Sequence, residues 1–179
     1  MLINSYKSKP IITSGLFQKT SLASKVLKHS SDFTDLDYTV LIFQSIQNPN
    51  SFCVKNVIKA YACSNIPKQD LVFYFKMLRN GFVPNSFTFP PLISSCSKTD
   101  CAKSGQKCHG QASKNGVDNV LPVQNSLIHL YACFGLFQIA SQVFVEMPVR
   151  DLVSWNSIVD GFAKLGYLAR AHQLFDEMP

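Results

Sequence analysis

An all-α fold, a solenoid of antiparallel helix pairs, is what this 179-residue sequence predicts, on three observations. First, QNSLIHLYACFGLFQIASQVFVEMP, from Gln124 to Pro148, returns as WNSIVDGFAKLGYLARAHQLFDEMP, from Trp155 to Pro179, at a constant offset of 31 residues. Second, Leu127, Ile128, Tyr131 and Ala132 recur at helical spacing, and after Gly135 a new stripe runs Ile139, Ala140, Val143, Phe144, Met147. Third, Pro148 closes that stripe, because proline cannot continue a helix. Each copy is therefore two short amphipathic helices joined by a glycine turn. Neither helix can bury its stripe alone, so the repeats must stack.

With Asn125 and Asn156 as fifth residues, repeats open at Leu121 and Leu152. The register runs backwards through PNSFTFPPLISSCSK, which opens a repeat at Ser86, and NPNSFCVKNVIKAYACSN, which opens one at Ser51. The expected organisation is therefore 20–50, 51–85, 86–120, 121–151 and an incomplete 152–179, with lengths alternating 35, 35 and 31 in the middle of the chain. The twenty-fourth place of the five repeats holds Phe43, Tyr74, His109, Phe144 and Phe175. The twenty-seventh holds Ile46, Met77, Ala112, Met147 and Met178. Ring and apolar residue three apart are what a buried second-helix stripe requires, so all ten positions read as core. His109, in the ring slot, reads as a packed imidazole rather than a metal ligand.

Composition bounds the function. A net charge of +6 and a pI near 9.0 suit a polyanionic partner. Six cysteines show no C-x-x-C step, which points to free thiols in a reducing compartment rather than to zinc. No apolar run approaches the roughly 20 residues of a membrane span. Residues 1–31 lack Asp and Glu and are rich in Lys and Ser, as in an organelle transit peptide, although Arg is absent too.

The repeat lengths, with DLVSWNSIVDGFAKLG…AHQLFDEMP and PNSFTFPPLISSCSK, resemble the plant pentatricopeptide repeat (PPR) family, and within it the PLS subclass of alternating long and short repeats. The resemblance covers about Thr20 to Pro179. It implies a right-handed superhelix whose first helices line a groove for single-stranded RNA, with about one base read per repeat. On this view residues 1–19 are the tail of a long-type repeat or an unstructured N-terminus, and both ends are expected to be truncated.

By the same resemblance, a base is chosen by the fifth residue of a repeat together with its last, while the second residue wedges between bases. That assigns Asn125 with Asp151, a pair that favours uracil in the family, and Asn156, whose partner falls beyond Pro179. An Asn amide offers a donor and an acceptor together, as a pyrimidine edge requires. Pro122 at the start of the helix places Asn125 inside it and beyond a capping role. The other pairs are Ser24 with Asn50, adenine-preferring by resemblance, and Lys55 with Asn85, where the lysine suits a phosphate. Pro90 with Val120 has no side-chain hydrogen-bonding group. The wedge places hold Phe52, Phe87, Pro122 and Val153, of which Phe and Val suit stacking or packing between repeats.

The expected partner is single-stranded RNA in a mitochondrial or chloroplast transcript, with no cofactor, metal, membrane or small-molecule substrate. Cytidine deamination, which some PLS proteins carry, needs an H-x-E step and a P-C-x-x-C pair. His29, His109, His129 and His172 all lack a Glu two places on, so the chain is expected not to be an enzyme. Editing chemistry would then come from proteins supplied in trans. A protein-interaction solenoid is the alternative, but tetratricopeptide arrays keep a uniform 34-residue period and a W-x-x-L-G-x-x-Y pattern that is missing here. A truncated product with little function is the third reading.

Overall fold

The structure, a computed structural model, describes residues 20–32, 35–64, 66, 68–99 and 102–179. The expectations for residues 1–19 lie outside the described residues. Ten helices and no strand are found among the described residues, in two compact bodies, Met1–Val83 and Pro84–Pro179.

The first body contains α1 (Thr20–Asp32), α2 (Leu36–Ser45), α3 (Ser51–Cys63) and α4 (Lys68–Arg79). α1 packs on α2 and on α3, and α3 packs on α2 and α4. Ala23, Leu27, Ile42, Val54, Val57, Ile58 and Tyr74 are buried between them. Phe73 sits edge-on to Phe43, with centroids 5.2 Å apart, and so ties α4 to α2. A buried polar seam joins α1 to α2 and α3: Thr39 Oγ1 lies 2.9 Å from Ser30 Oγ, and Ser31 Oγ donates to Asn56 Oδ1 at 3.3 Å. Buried hydroxyls need such partners, and here they fix how α1 meets its neighbours.

The second body contains α5 (Phe89–Ser97), α6 (Ala102–Lys114), α7 (Leu121–Cys133), α8 (Phe137–Glu146), α9 (Leu152–Lys164) and α10 (Leu168–Asp176). The first helices form one row, α5 on α7 and α7 on α9, while α6, α8 and α10 each pack on their own first helix. α6 and α8 also touch the first helix of the following pair. Leu92, Ile93, Val123, Leu127, Ile128, Leu130 and Ile158 are among the buried apolar residues of that row.

Local chemistry explains the helix ends. Gly135 and Gly166 adopt φ of +69° and +83°, the left-handed conformation that stops α7 and α9. The following amides bond back across the turn, Leu136 N–H to Tyr131 O at 2.8 Å and Tyr167 N–H to Phe162 O at 3.0 Å. At the far end of α8, Arg150 Nε and Nη2 donate to the carbonyls of Phe144 and Val145 at 2.8 and 2.7 Å. A cation there satisfies orphan carbonyls and complements the helix dipole.

Three positions differ from the sequence reading, one of them Met178, expected in the core but only half-buried. The helix of the repeat at Ser86 starts late, at Phe89, because Asn85 and Thr88 bond reciprocally across a turn: Asn85 N–H to Thr88 Oγ1 at 3.1 Å and Thr88 Oγ1 to Asn85 Oδ1 at 3.2 Å. Phe175, expected in the core, is 61% exposed, whereas Phe144 at the same place is 6% exposed. Phe144 owes its cover to Trp155 of the next pair, an edge-on contact at 4.9 Å. Phe175 stands in the last pair of this chain and has no such neighbour.

Candidate nucleic-acid interface

Asn125 is the fifth residue of α7, a helix begun by Val120 as N-cap and Pro122 in the first turn. Its side chain, half-buried, makes no bond to its own helix ends. Instead Nδ2 donates to Asp151 Oδ1 at 3.1 Å, and Oδ1 accepts from Ser154 Oγ at 2.7 Å. The structure thus joins the two residues assigned to one base, and adds a third.

Asp151 is held where it is because it is the N-cap of α9. Its Oδ1 accepts the Ser154 N–H at 2.8 Å, while Ser154 Oγ accepts the Asp151 N–H at 3.1 Å, a reciprocal capping box. Those hydrogen bonds, the Ser154 N–H foremost and then the Ser154 hydroxyl, hold the Asp151 carboxyl below its ordinary 3.8 against a smaller opposing effect of burial, with the Asn125 amide adding a little. Asp151 is therefore a carboxylate at neutral pH. A carboxylate facing the Asn125 amide accepts from nitrogen and repels oxygen, so the amide has one favoured orientation. Two of its four hydrogen-bonding capacities remain, one N–H and one oxygen lone pair.

Asn156 occupies the equivalent place on α9 and is exposed. Val153, Phe52 and Phe87, the wedge residues, are exposed apolar side chains at 56%, 42% and 62%.

The remaining assignments fare differently. Ser24, expected to read a base, is buried at 8% exposure, with Oγ 3.3 Å from Cys53 Sγ. Its assigned partner Asn50 is the N-cap of α3, accepting the Cys53 N–H at 3.0 Å. Burial of the hydroxyl leaves that place without an accessible reading group. Lys55 is half-buried on α3 in the first body. Asn85 belongs to the second body, where Oδ1 accepts from Phe87 N–H at 3.1 Å in the turn before α5.

Sequence reasoning weighed capping for Asn125 but missed it at the last place of the repeat, where Asn50, Asn85 and Asp151 all close the turn that opens the next first helix. The D-x-x-S step from Asp151 to Ser154 was the available signal. His109 is half-buried, its Nδ1 2.7 Å from Tyr131 Oη, and burial holds its pKa below the ordinary 6.5. Cys96 and Cys108 are buried with their sulfurs 3.7 Å apart. Among the described residues no cluster of three or more potential metal ligands occurs, and no helix is long and apolar enough to cross a membrane.

Comparison with known proteins gives this geometry its family. The PPR repeat model matches residues 125–152 and again 149–179. The Arabidopsis thaliana pentatricopeptide repeat-containing protein At3g51320 is 54% identical over 156 residues, 87% of this chain and 29% of that protein. A second from the same plant, At1g59720, named chloroplastic/mitochondrial, is 39% identical over 88% of this chain and 25% of its own length. The chain thus spans under a third of the curated relatives it matches. In fold it is similar to the pentatricopeptide repeat protein PPR10 from maize, with a TM-score of 0.66 at 19% identity over 87% of this chain and 24% of that one. It is also similar to PPR10 in complex with an 18-nt psaJ RNA element, with a TM-score of 0.58 at 14% identity over 88% of this chain and 28% of that one. Stacked helix pairs, two matched repeats and close plant relatives agree: the chain belongs to the pentatricopeptide repeat family.

Proposed function

We propose that this chain binds single-stranded RNA and reads a pyrimidine, uracil by preference, with Asn125 and Asp151. The observation that carries the reading is the Asn125–Asp151 hydrogen bond, which, with the Ser154 hydroxyl on the amide oxygen, leaves one donor and one acceptor of an oriented amide for a base edge. Exposed Val153 beside it supplies an apolar surface for that base, as Phe52 does on α3 and Phe87 does before α5. The net charge of +6 supplies sequence-independent attraction to phosphates, to which Lys55 contributes. The fold's likeness to an RNA-bound relative supports the partner class.

The finer assignment extends the same reading. Alternation of 35- and 31-residue repeats supports assignment to the PLS subclass, and relatives named for chloroplast or mitochondrion support an organellar transcript as the target. The chain marks a site for cytidine-to-uridine editing or processing, with the chemistry supplied by partner proteins.

Fluorescence anisotropy with short single-stranded RNAs at low salt tests the proposal. The expected result is saturable binding, stronger for uracil-rich than for purine-rich RNA and weakening steeply as salt rises. Absence of binding at low salt, or equal affinity for every composition, overturns it.

A further inference from the structure

We infer that the third residue of the following repeat is a positioning residue for the base-reading side chain, so that Ser154 belongs to the Asn125 site. This rests on the reading of Asn125 given above and adds to it a residue that contacts no base.

The connection recurs within the chain. Asn125 is bonded to Ser154, and Ser24, at the same place three repeats earlier, is bonded to Cys53; both partners lie 29 residues on. Cys53 and Ser154 are each fully buried, as are Thr88 and Val123 at the same place of two more repeats, while Leu22, in the first of the described repeats, is exposed. In the four repeats that follow another, the third place is thus a small or medium side chain sealed from solvent. In both bonded cases its N–H also reaches the last residue of the preceding repeat, Cys53 to Asn50 and Ser154 to Asp151. One residue therefore ties together the two places that choose the base.

At Ser154 the tie has chemical consequence. Its hydroxyl has Asn125 Oδ1 at 2.7 Å and Asp151 Oδ1 at 2.8 Å as acceptors, and accepts in turn from the Asp151 N–H. Asp151 holds the amide nitrogen; Ser154 holds the amide oxygen. With both ends held, the free N–H and lone pair present a fixed donor–acceptor order, which suits the N3–H and a carbonyl of uracil. Cytosine offers an acceptor at N3 and a donor at N4, and needs the opposite order. A loosened amide serves both.

Ser154→Ala removes the hydroxyl, and Ser154→Thr restores it; the Thr88 hydroxyl bonds to Asn85 Oδ1, three residues before it, as the Ser154 hydroxyl does to Asp151 Oδ1. Anisotropy with oligo(U) and oligo(C) is expected to give a uracil preference for the wild type. That preference should drop about threefold to tenfold in Ser154→Ala, as loss of one oriented hydrogen bond implies, and return in Ser154→Thr. A Ser154→Ala protein that keeps the wild-type ratio, while Asn125→Ala loses it, overturns this inference and leaves the base-reading role of Asn125 standing. A wild type without preference overturns that role itself. The orientation is also read without RNA. In two-dimensional ¹⁵N NMR the Asn125 side-chain amide pair, identified by its loss in Asn125→Ala, should shift in Ser154→Ala and recover in Ser154→Thr. An unmoved pair overturns the inference whatever the RNA measurement shows.

Discussion

Gly161 of α9 lies so close to Ala132 of α7 that a β-carbon at 161 would overlap that of Ala132. The two first helices meet here backbone to side chain, and Ala132 is itself 5% exposed, with no room to retreat. Glycine inside a helix costs about 1 kcal/mol relative to alanine, so Gly161→Ala would stabilise an isolated helix. Overpacking a rigid contact costs about 1–3 kcal/mol, and the overlap is with a β-carbon that cannot rotate away. Gly161→Ala is therefore expected to lower stability, and Ala132→Gly added to it to recover part of the loss. Denaturant titration of the two variants checks the sign.

Phe144 is the hinge pin of the seam between the last two pairs. Trp155 meets it edge-on at 4.9 Å and the Arg150 guanidinium lies over the ring at 5.0 Å. Phe144→Ala should cost about 3–5 kcal/mol, the range for a buried aromatic. Arg150→Ala should cost about 1 kcal/mol, because the side chain is exposed and its bonds compete with water. Trp155 is the only tryptophan of the chain, so its fluorescence follows unfolding of the second body directly.

His109 makes stability depend on pH. Burial, opposed by smaller effects of Asp118 and Glu146, holds its folded pKa below the ordinary 6.5. Between that lowered value and 6.5 the unfolded chain binds more protons than the folded one, so stability rises with pH across that window. The contribution is fully present above 6.5 and is lost as pH falls through the folded pKa. His109→Phe, which places the residue of Phe43 and Phe144 in the same slot, should flatten this dependence. Unfolding midpoints measured from pH 7.5 downwards would show the two curves converging or staying parallel; parallel curves refute the assignment.

Asn125→Ala separates reading from attraction. The variant keeps every basic residue, so its RNA affinity should retain the wild-type salt slope. Its preference among bases should fall about tenfold, the cost of a lost two-point contact. Affinity plotted against salt for uracil- and purine-rich RNA measures both quantities at once.

The helices were legible because stripe spacing, prolines and glycine turns all leave periodic marks. The late start of α5 was not, because it depends on a reciprocal bond between Asn85 and Thr88 rather than on any pattern of apolar residues. The pairing of Asn125 with Asp151 followed from register together with the family resemblance. Ser154 escaped because the bond that brings it in spans 29 residues and two repeats. Burial of Ser24 escaped for a related reason: a small hydroxyl looks alike in sequence whether it faces solvent or a neighbouring thiol. Phe175 was misjudged because the stripe does not show whether a neighbouring pair covers the ring, as Trp155 covers Phe144.

On the proposed reading, the Ser154 bond also changes what counts as a letter in this script. Residues 121–151 carry the amide and the carboxylate, but the clasp that settles their grammar is written in the sentence that follows. Grafting that segment into another array would import a vowel whose pronunciation depends on the host's next word. Engineers who shuffle such modules should therefore cut after the fourth residue of the succeeding helix rather than at its threshold.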